Sequence, residues 1–461
     1  MFTAFLRDLF RAKASTEAIV WHGRSYQYAW LSDRIDYWVA QLMTDGIRVG
    51  DVVLLQGDFS PNSIALLLAL IEAGCICVPL NTERAHEREV LAETALVNWC
   101  LEVNKEDSVS ISGRTDRQSH ELYDFLRSRG HPGIVFFTSG STGVSKAVVH
   151  DLAKLLGKYR TKRHDLRTLA FLLFDHIGGF DTLFYVLSNG STLVIPQGRL
   201  PAQVCYAVQQ HRVEVLPVSP SFLNLLLLSG IYADYDLHSL QYITYGAETM
   251  PAGTLAKCAA LFPGVKFLQK YGATEIGTMR SQSERQDSVW VKIGGEGYEW
   301  RVADGMLQIK CDSAMLGYLN APSPFTPDGW FVTGDAVERK GESLRILGRK
   351  SDIINVGGQK VYPAEVEEVI SEMDGVADVT VYGEKNQVLG SIVCAKVKLA
   401  RPEHLEEFTR RLRAFCKDRL DKYKVPLKIT LSDDSQFDAR SKKQRRLLAQ
   451  ETDIANGHTA I

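Results

Sequence analysis

Between residues 51 and 80 the chain runs DVVLLQGD, then SIALLLALIEAG, then CICVPL. A strand-length apolar run, a longer run with helical spacing and a second strand-length run are what a parallel sheet covered by helices requires. The rhythm returns as VEVLPVS followed by SFLNLLLLSG, and QYITYG and KFLQKYG read as two more strands entering glycine-containing loops. Through residue 275 the chain therefore reads as an α/β sheet system whose strand ends are favourable ligand positions.

After residue 280 the texture changes to short strands and turns, as in WVKIGGEGYEWRVADGMLQIK, and a β-rich subdomain is expected there. The segment ILGRKSDIINVGGQKVYPAEVEEVI then leads into a compact α+β unit. Polar residues and a GG pair place the boundary at Arg349 to Asp352, dividing the chain into 1–349 and 350–461. More than one core is expected of 461 residues, because single cores stop growing near ~250–300.

Composition narrows the partners. With 53 basic and 55 acidic side chains the net charge is -2, which leaves no broad electrostatic footprint for nucleic acid. Eight cysteines lie scattered without the spacing of a zinc site or the density of a disulfide scaffold, which fits a reducing, cytoplasmic setting. Cys75 and Cys77 read as alternating buried positions on a strand. The N-terminal MFTAFLRDLFRAKA reads as an amphipathic helix. The longest apolar region, interrupted by Glu72, Gly74 and Pro79, reads as a buried helix and strand rather than a membrane span.

The apolar run GIVFF enters TSGSTGVSK, residues 138 to 146. Such a loop surrounds an anion with backbone N–H groups, hydroxyls and a lysine. It differs from the common nucleotide loop, because Ser145 precedes Lys146 and Ala147 follows it, leaving no hydroxyl at the usual magnesium position. A plain turn after a strand remains the alternative for the loop taken alone.

Four further stretches follow in order: YGAETM at 245–250, YGATEIG at 271–277, GWFVTGD at 329–335 and LGRKSDIINVGGQKVYPAEVEEVI at 347–370. Together with the first loop they make the sequence resemble the adenylate-forming superfamily of acyl- and aryl-CoA synthetases, peptide-synthetase adenylation enzymes and luciferases, over nearly its whole length. The resemblance implies a large N-terminal domain of mixed sheets with a β-rich subdomain, and a small mobile α+β C-terminal domain that turns about a hinge near Ser351. It also implies ATP, Mg2+ and a carboxylic acid, an acyl-adenylate with release of pyrophosphate, and passage of the acyl group to a thiol.

The same resemblance implies residue roles. Thr138, Ser139, Gly140, Ser141, Thr142, Gly143 and Lys146 would hold the β and γ phosphates, with Thr142 also near the metal. Gly246, Ala247 and Glu248 would border nucleotide and acid. Tyr271 would face adenine, Gly272, Ala273 and Thr274 would shape the nucleotide and carboxylate region, and Glu275 would hold Mg2+. Asp335 and Arg349 would reach the ribose. Lys442 would be the catalytic lysine of the C-terminal domain, in DARSKKQRRLL, with Lys443 as the second choice and Ser441 where glycine is customary. Gly357 and Gly358 would approach the tunnel of the pantetheine arm.

For the acid, FLLFDHIGGFDTLF at 171–184 occupies the pocket region, with His176 near the entrance and Gly178 and Gly179 giving room. Gly246 and Ala247 would keep the opposite wall small. Asp175 leaves open a substrate ammonium, hence an amino or aminoaryl acid. The thiol would be that of CoA or of the phosphopantetheine on a separate carrier protein. A noncatalytic ligand-binding homologue and a kinase or ATPase are the competing classes. Neither would yield AMP and pyrophosphate.

Overall fold

The computed structural model describes residues 2–432 except 139–144, 286, 296 and 387. The helical and strand rhythm at 51–80 becomes strand Val52–Gln56, helix Pro61–Glu72 and strand Ile76–Leu80, the two strands parallel. Ser60 starts the helix by accepting from the Ser63 N–H, and Pro61 fills the first turn, where its missing N–H has no bond to lose. Every helix residue except Asn62 and Glu72 is buried. The reason is its place between two sheets: Val53, Leu55 and Phe136 of one and Ile19 and Leu193 of the other share its apolar cluster.

The first of these sheets runs in the order Gly317–Tyr318, Lys146–Asp151, Gly133–Thr138, Ile76–Leu80, Val52–Gln56, Trp99–Val103, Val109–Gly113. The second runs Lys266–Gln269, Tyr242–Tyr245, Val215–Val218, Thr168–Leu169, Leu193–Ile195, Glu17–Trp21, Arg24–Gln27, parallel except for the last pair. Cys75 and Cys77 are fully buried, but so are their neighbours, because the strand is covered on both faces. Burial pushes the Cys75 thiol up to about 12. The N-terminal segment forms helix Ala4–Ala12, which buries Leu6 and Phe10.

The β-rich region expected after residue 280 is a six-stranded antiparallel sheet, in the order Arg280–Ser283, Val291–Gly294, Ser343–Arg349, Phe331–Lys340, Met306–Cys311, Tyr298–Ala303. A short helical turn, Lys350–Asp352, leads from it to a smaller C-terminal domain. There a five-stranded sheet carries helices Pro363–Ser371 and Leu405–Cys416 around its own apolar cluster, from Ile354 to Ile429. Glu368 links the two parts, accepting from the Ala252 N–H at 3.2 Å and from Arg345 at 3.3 Å. Among the described residues no helix is long and apolar enough to cross a membrane.

Candidate active site

The strand GIVFF turns back on itself. Gly133–Thr138 pairs antiparallel with Lys146–Asp151, and Thr138 is opposite Lys146, so Lys146 opens the returning strand. Asn320 grips the backbone on both sides of it. The Asn320 amide donates to the Ser145 carbonyl at 2.8 Å and accepts from the Ala147 N–H at 2.9 Å. Arg84 donates to the Ser145 hydroxyl at 3.1 Å. Ser139, Gly140, Ser141, Thr142 and Gly143 lie outside the described residues, as do Lys442 and Lys443.

Lys146 does not stand alone. Strand Gly317–Tyr318 pairs with Lys146–Asp151, and its Tyr318 ring centroid lies 5.1 Å from the Lys146 ammonium. The Tyr318 hydroxyl donates to Glu275 Oε1 at 2.7 Å. Burial, followed by the adjacent Glu275 carboxylate, pushes the Tyr318 phenol up, so it remains a donor at neutral pH. A cation, a phenol and a carboxylate thus converge where this hairpin begins its return.

A second cluster adjoins it. Asp335 and Arg349 are register partners on neighbouring antiparallel strands, and Arg349 Nε is 2.8 Å from Asp335 Oδ1. Tyr271, only 6% exposed, donates its hydroxyl to Asp335 Oδ2 at 2.6 Å. Burial pushes the Asp335 carboxyl up, and Arg349 and the Tyr271 hydroxyl oppose that shift. Tyr271 is thus held through its hydroxyl by the carboxylate expected at the ribose, while Gly272 beside it is exposed. Glu275 also acts electrostatically on Asp335 and Arg349, which joins the two clusters.

Thr274 is placed by a buried histidine. His150, on the strand that Lys146 opens, donates from Nε2 to the Thr274 carbonyl at 2.6 Å. Burial pulls its imidazole down to about 4. It is therefore neutral and ties the strand Lys146–Asp151 to the YGATE turn.

The pocket residues have structural duties beside the expected ones. His176 is the N-cap of helix Ile177–Asn189 and accepts from the Gly178 N–H. Asp175 is buried at 3% exposure. The space beside Gly179 is not open to an acyl chain. A Cβ there would come within 2.0 Å of the Leu173 carbonyl oxygen, so close approach of the backbone requires glycine at 179, whereas a Cβ at Gly178 would meet only the end of the Leu172 side chain, at 2.8 Å. Gly246 likewise lies against the Lys270 carbonyl, 2.6 Å from where its Cβ would be. Ala247 takes a left-handed φ of 69°. Glu248 accepts from the hydroxyl and N–H of Ser221 and so fastens this turn to helix Pro220–Ser229. Gly357 and Gly358 form the two-residue turn between Ile354–Val356 and Gln359–Val361, both with positive φ, as that turn requires.

Tyr318, Asn320, Arg84 and His150 escaped the reading of the sequence. Only His150 had a signal, closing the apolar run AVVH directly after the loop. The others reach the site from distant chain segments.

This fold and these clusters define an adenylate-forming enzyme. An anthranilate CoA ligase in complex with anthranoyl-AMP has the same fold, with a TM-score of 0.83 over 98% of both chains at 19% identity. The family described as AMP-binding enzyme matches residues 7–306, and its C-terminal domain matches 365–442. The chain belongs to the AMP-binding enzyme family, and within it is an AMP-forming acid–thiol ligase of acyl-CoA synthetase type. A Mycobacterium tuberculosis protein named 3-[(3aS,4S,7aS)-7a-methyl-1,5-dioxo-octahydro-1H-inden-4-yl]propanoyl:CoA ligase is 33% identical over 322 residues, 65% of this chain and 62% of that protein. The protein of the same name from Rhodococcus jostii is 28% identical over 91% of this chain and 93% of its own.

Proposed function

We propose that the protein activates a carboxylic acid with ATP to an acyl-adenylate, releasing pyrophosphate, and then transfers the acyl group to the thiol of CoA. The observation that carries this reading is the convergence of Lys146, Tyr318 and Glu275 beside the linked Tyr271, Asp335 and Arg349. One cluster suits a polyphosphate and the other a sugar diol.

Each residue has a defined task in this reading. Lys146 offsets charge repulsion in the entering triphosphate, and the Asn320 grip fixes where its side chain begins. Asp335 accepts from the ribose hydroxyls, Arg349 opposes the upward pull of burial on its carboxyl, and Tyr271 lends its ring to the base. His176 borders the acid. Lys442 stabilises charge as carboxylate attacks the α-phosphate, and Thr138 through Gly143 enclose the outer phosphates.

Glu275 suits Mg2+ as its protein ligand. Among the described residues no group of three or more acidic, histidine or cysteine side chains could cage a metal, and Mg2+ is commonly held by one or two carboxylates plus substrate phosphates. The ion would neutralise phosphate charge. Tyr318 occupies one Glu275 oxygen and so orients the other.

The hinge near Ser351 and the glycine turn 357–358 complete the reading, with the C-terminal domain adopting a second arrangement for thiol attack. The relatives named as CoA ligases favour free CoA as acceptor over a carrier protein. The test is acid-dependent release of pyrophosphate and AMP across fatty, aryl and amino acids, with mass detection of acyl-AMP and, after CoA, the thioester. Formation of ADP, or no adenylate across the panel, counts against it. Acyl-AMP that persists with CoA present points to a carrier.

A further inference from the structure

Helix Ala252–Leu261 follows the stretch YGAETM and begins without a cap of its own. Its N-cap position is Pro251, whose side chain has no oxygen to accept a first-turn N–H, and no acidic residue stands in that turn. Ser, Thr, Asp or Asn ordinarily fills this place, and the helix dipole favours an anion there. Acceptor and charge both come from the C-terminal domain instead. Glu368, on helix Pro363–Ser371, accepts from the Ala252 N–H through Oε1 at 3.2 Å, and its Oε2 is 3.3 Å from a guanidinium nitrogen of Arg345 on strand Ser343–Arg349. Both side chains of this ion pair are partly buried. At the end of the same helix, Glu372 Cγ lies 3.9 Å from where a Cβ on Gly253 would be, so one face of the small domain sits over the start of helix Ala252–Leu261.

The turn at Gly357 and Gly358 faces solvent in this arrangement. Both glycines are exposed, and among the described residues nothing but the adjoining chain lies within 4 Å of where a Cβ on Gly358 would stand. In the adenylation reading that turn meets the thiol path only in the second arrangement of the domain. The arrangement with Glu368 on the helix is therefore the other one.

We propose that Glu368 is a positioning residue for the first half-reaction: it caps helix Ala252–Leu261 across the domain boundary, holds the C-terminal domain where the acyl-adenylate forms, and leaves the helix before thiol attack. This rests on the adenylation reading and names what sets the balance between its two steps. A charge-assisted cap with an ion pair behind it biases the two arrangements by about tenfold. Each half-reaction runs in proportion to the share of its own arrangement, so while the domain turns faster than the chemistry, losing the cap moves the ratio of the two rates by that same factor, whatever the starting populations.

The experiment measures both half-reactions in single turnovers, with the acid of the fatty, aryl and amino panel that releases pyrophosphate fastest: pyrophosphate release with ATP, and thioester formation from the preformed acyl-AMP with CoA. Glu368→Ala should shift the ratio towards thioester formation by about tenfold, and Glu368→Gln, which keeps an acceptor and loses the charge, should shift it less. A merely structural glutamate would depress both rates in proportion. A second variant, Gly253→Cys with Glu372→Cys, should join its two thiols under oxidised glutathione, keep pyrophosphate release and lose thioester formation until dithiothreitol is added. An unchanged ratio in Glu368→Ala, thiols that do not join, or a joined enzyme that still forms thioester overturns the inference alone. Pyrophosphate release with no acid of the panel overturns the adenylation reading and this inference with it.

Discussion

The Tyr318 hydroxyl sits between two roles, bonding Glu275 while its ring faces Lys146. Tyr318→Phe removes only the hydroxyl, and a hydrogen bond to a charged group contributes about 1.5–3 kcal/mol. The expected result is a fall in adenylation rate of about tenfold or more with a raised Mg2+ requirement, read from pyrophosphate release against Mg2+ concentration. An unchanged Mg2+ dependence would detach Tyr318 from Glu275 function. His150 makes a prediction about stability. Its pKa falls from 6.5 to about 4 on folding, so between those values the unfolded chain binds more protons and stability drops as pH falls. The loss from pH 7 to pH 4 is about 3 kcal/mol from this residue. Urea midpoints of the wild type should decline through that window, and those of His150→Asn should decline less.

The helix Ile177–Asn189 depends on its approach to the preceding segment. Gly179→Ala forces a Cβ onto the Leu173 carbonyl, and overpacking of this kind costs about 1–3 kcal/mol. Thermal unfolding should show the loss, and acid KM should rise with it, because the same helix starts at His176. The same helix shows where the sequence stopped being readable. The sequence singles out this stretch only as a pocket region, not as a helix, whereas the buried strands follow from unbroken apolar runs, since both faces of their sheets are covered. Lys146 could be read because its loop is local in sequence. Tyr318 could not, since it meets Glu275 across 43 residues and Lys146 through strand pairing, and neither contact leaves a spacing signature. Gly178 and Gly179 suggested room for substrate because a missing side chain does not say what fills the gap.

Every apolar cluster among the described residues lies wholly before residue 347 or wholly after residue 353. The two parts therefore have separate apolar cores, and among the described residues Glu368 makes polar contacts between them. A chain ending at residue 349 should fold and bind ATP, measured by calorimetry, while losing overall thioester formation. Loss of the cooperative fold in that truncation would mean that the C-terminal domain supports the large one through contacts beyond these.

Asp335 and Arg349 close the open end of a hairpin whose other end turns at Lys340–Ser343. Pairing, not the length of that distant turn, sets their alignment. The turn is accordingly a natural place to splice in a tag or a fluorophore: residues added there lengthen the far loop and leave the carboxylate, the guanidinium and the start of the C-terminal domain in register.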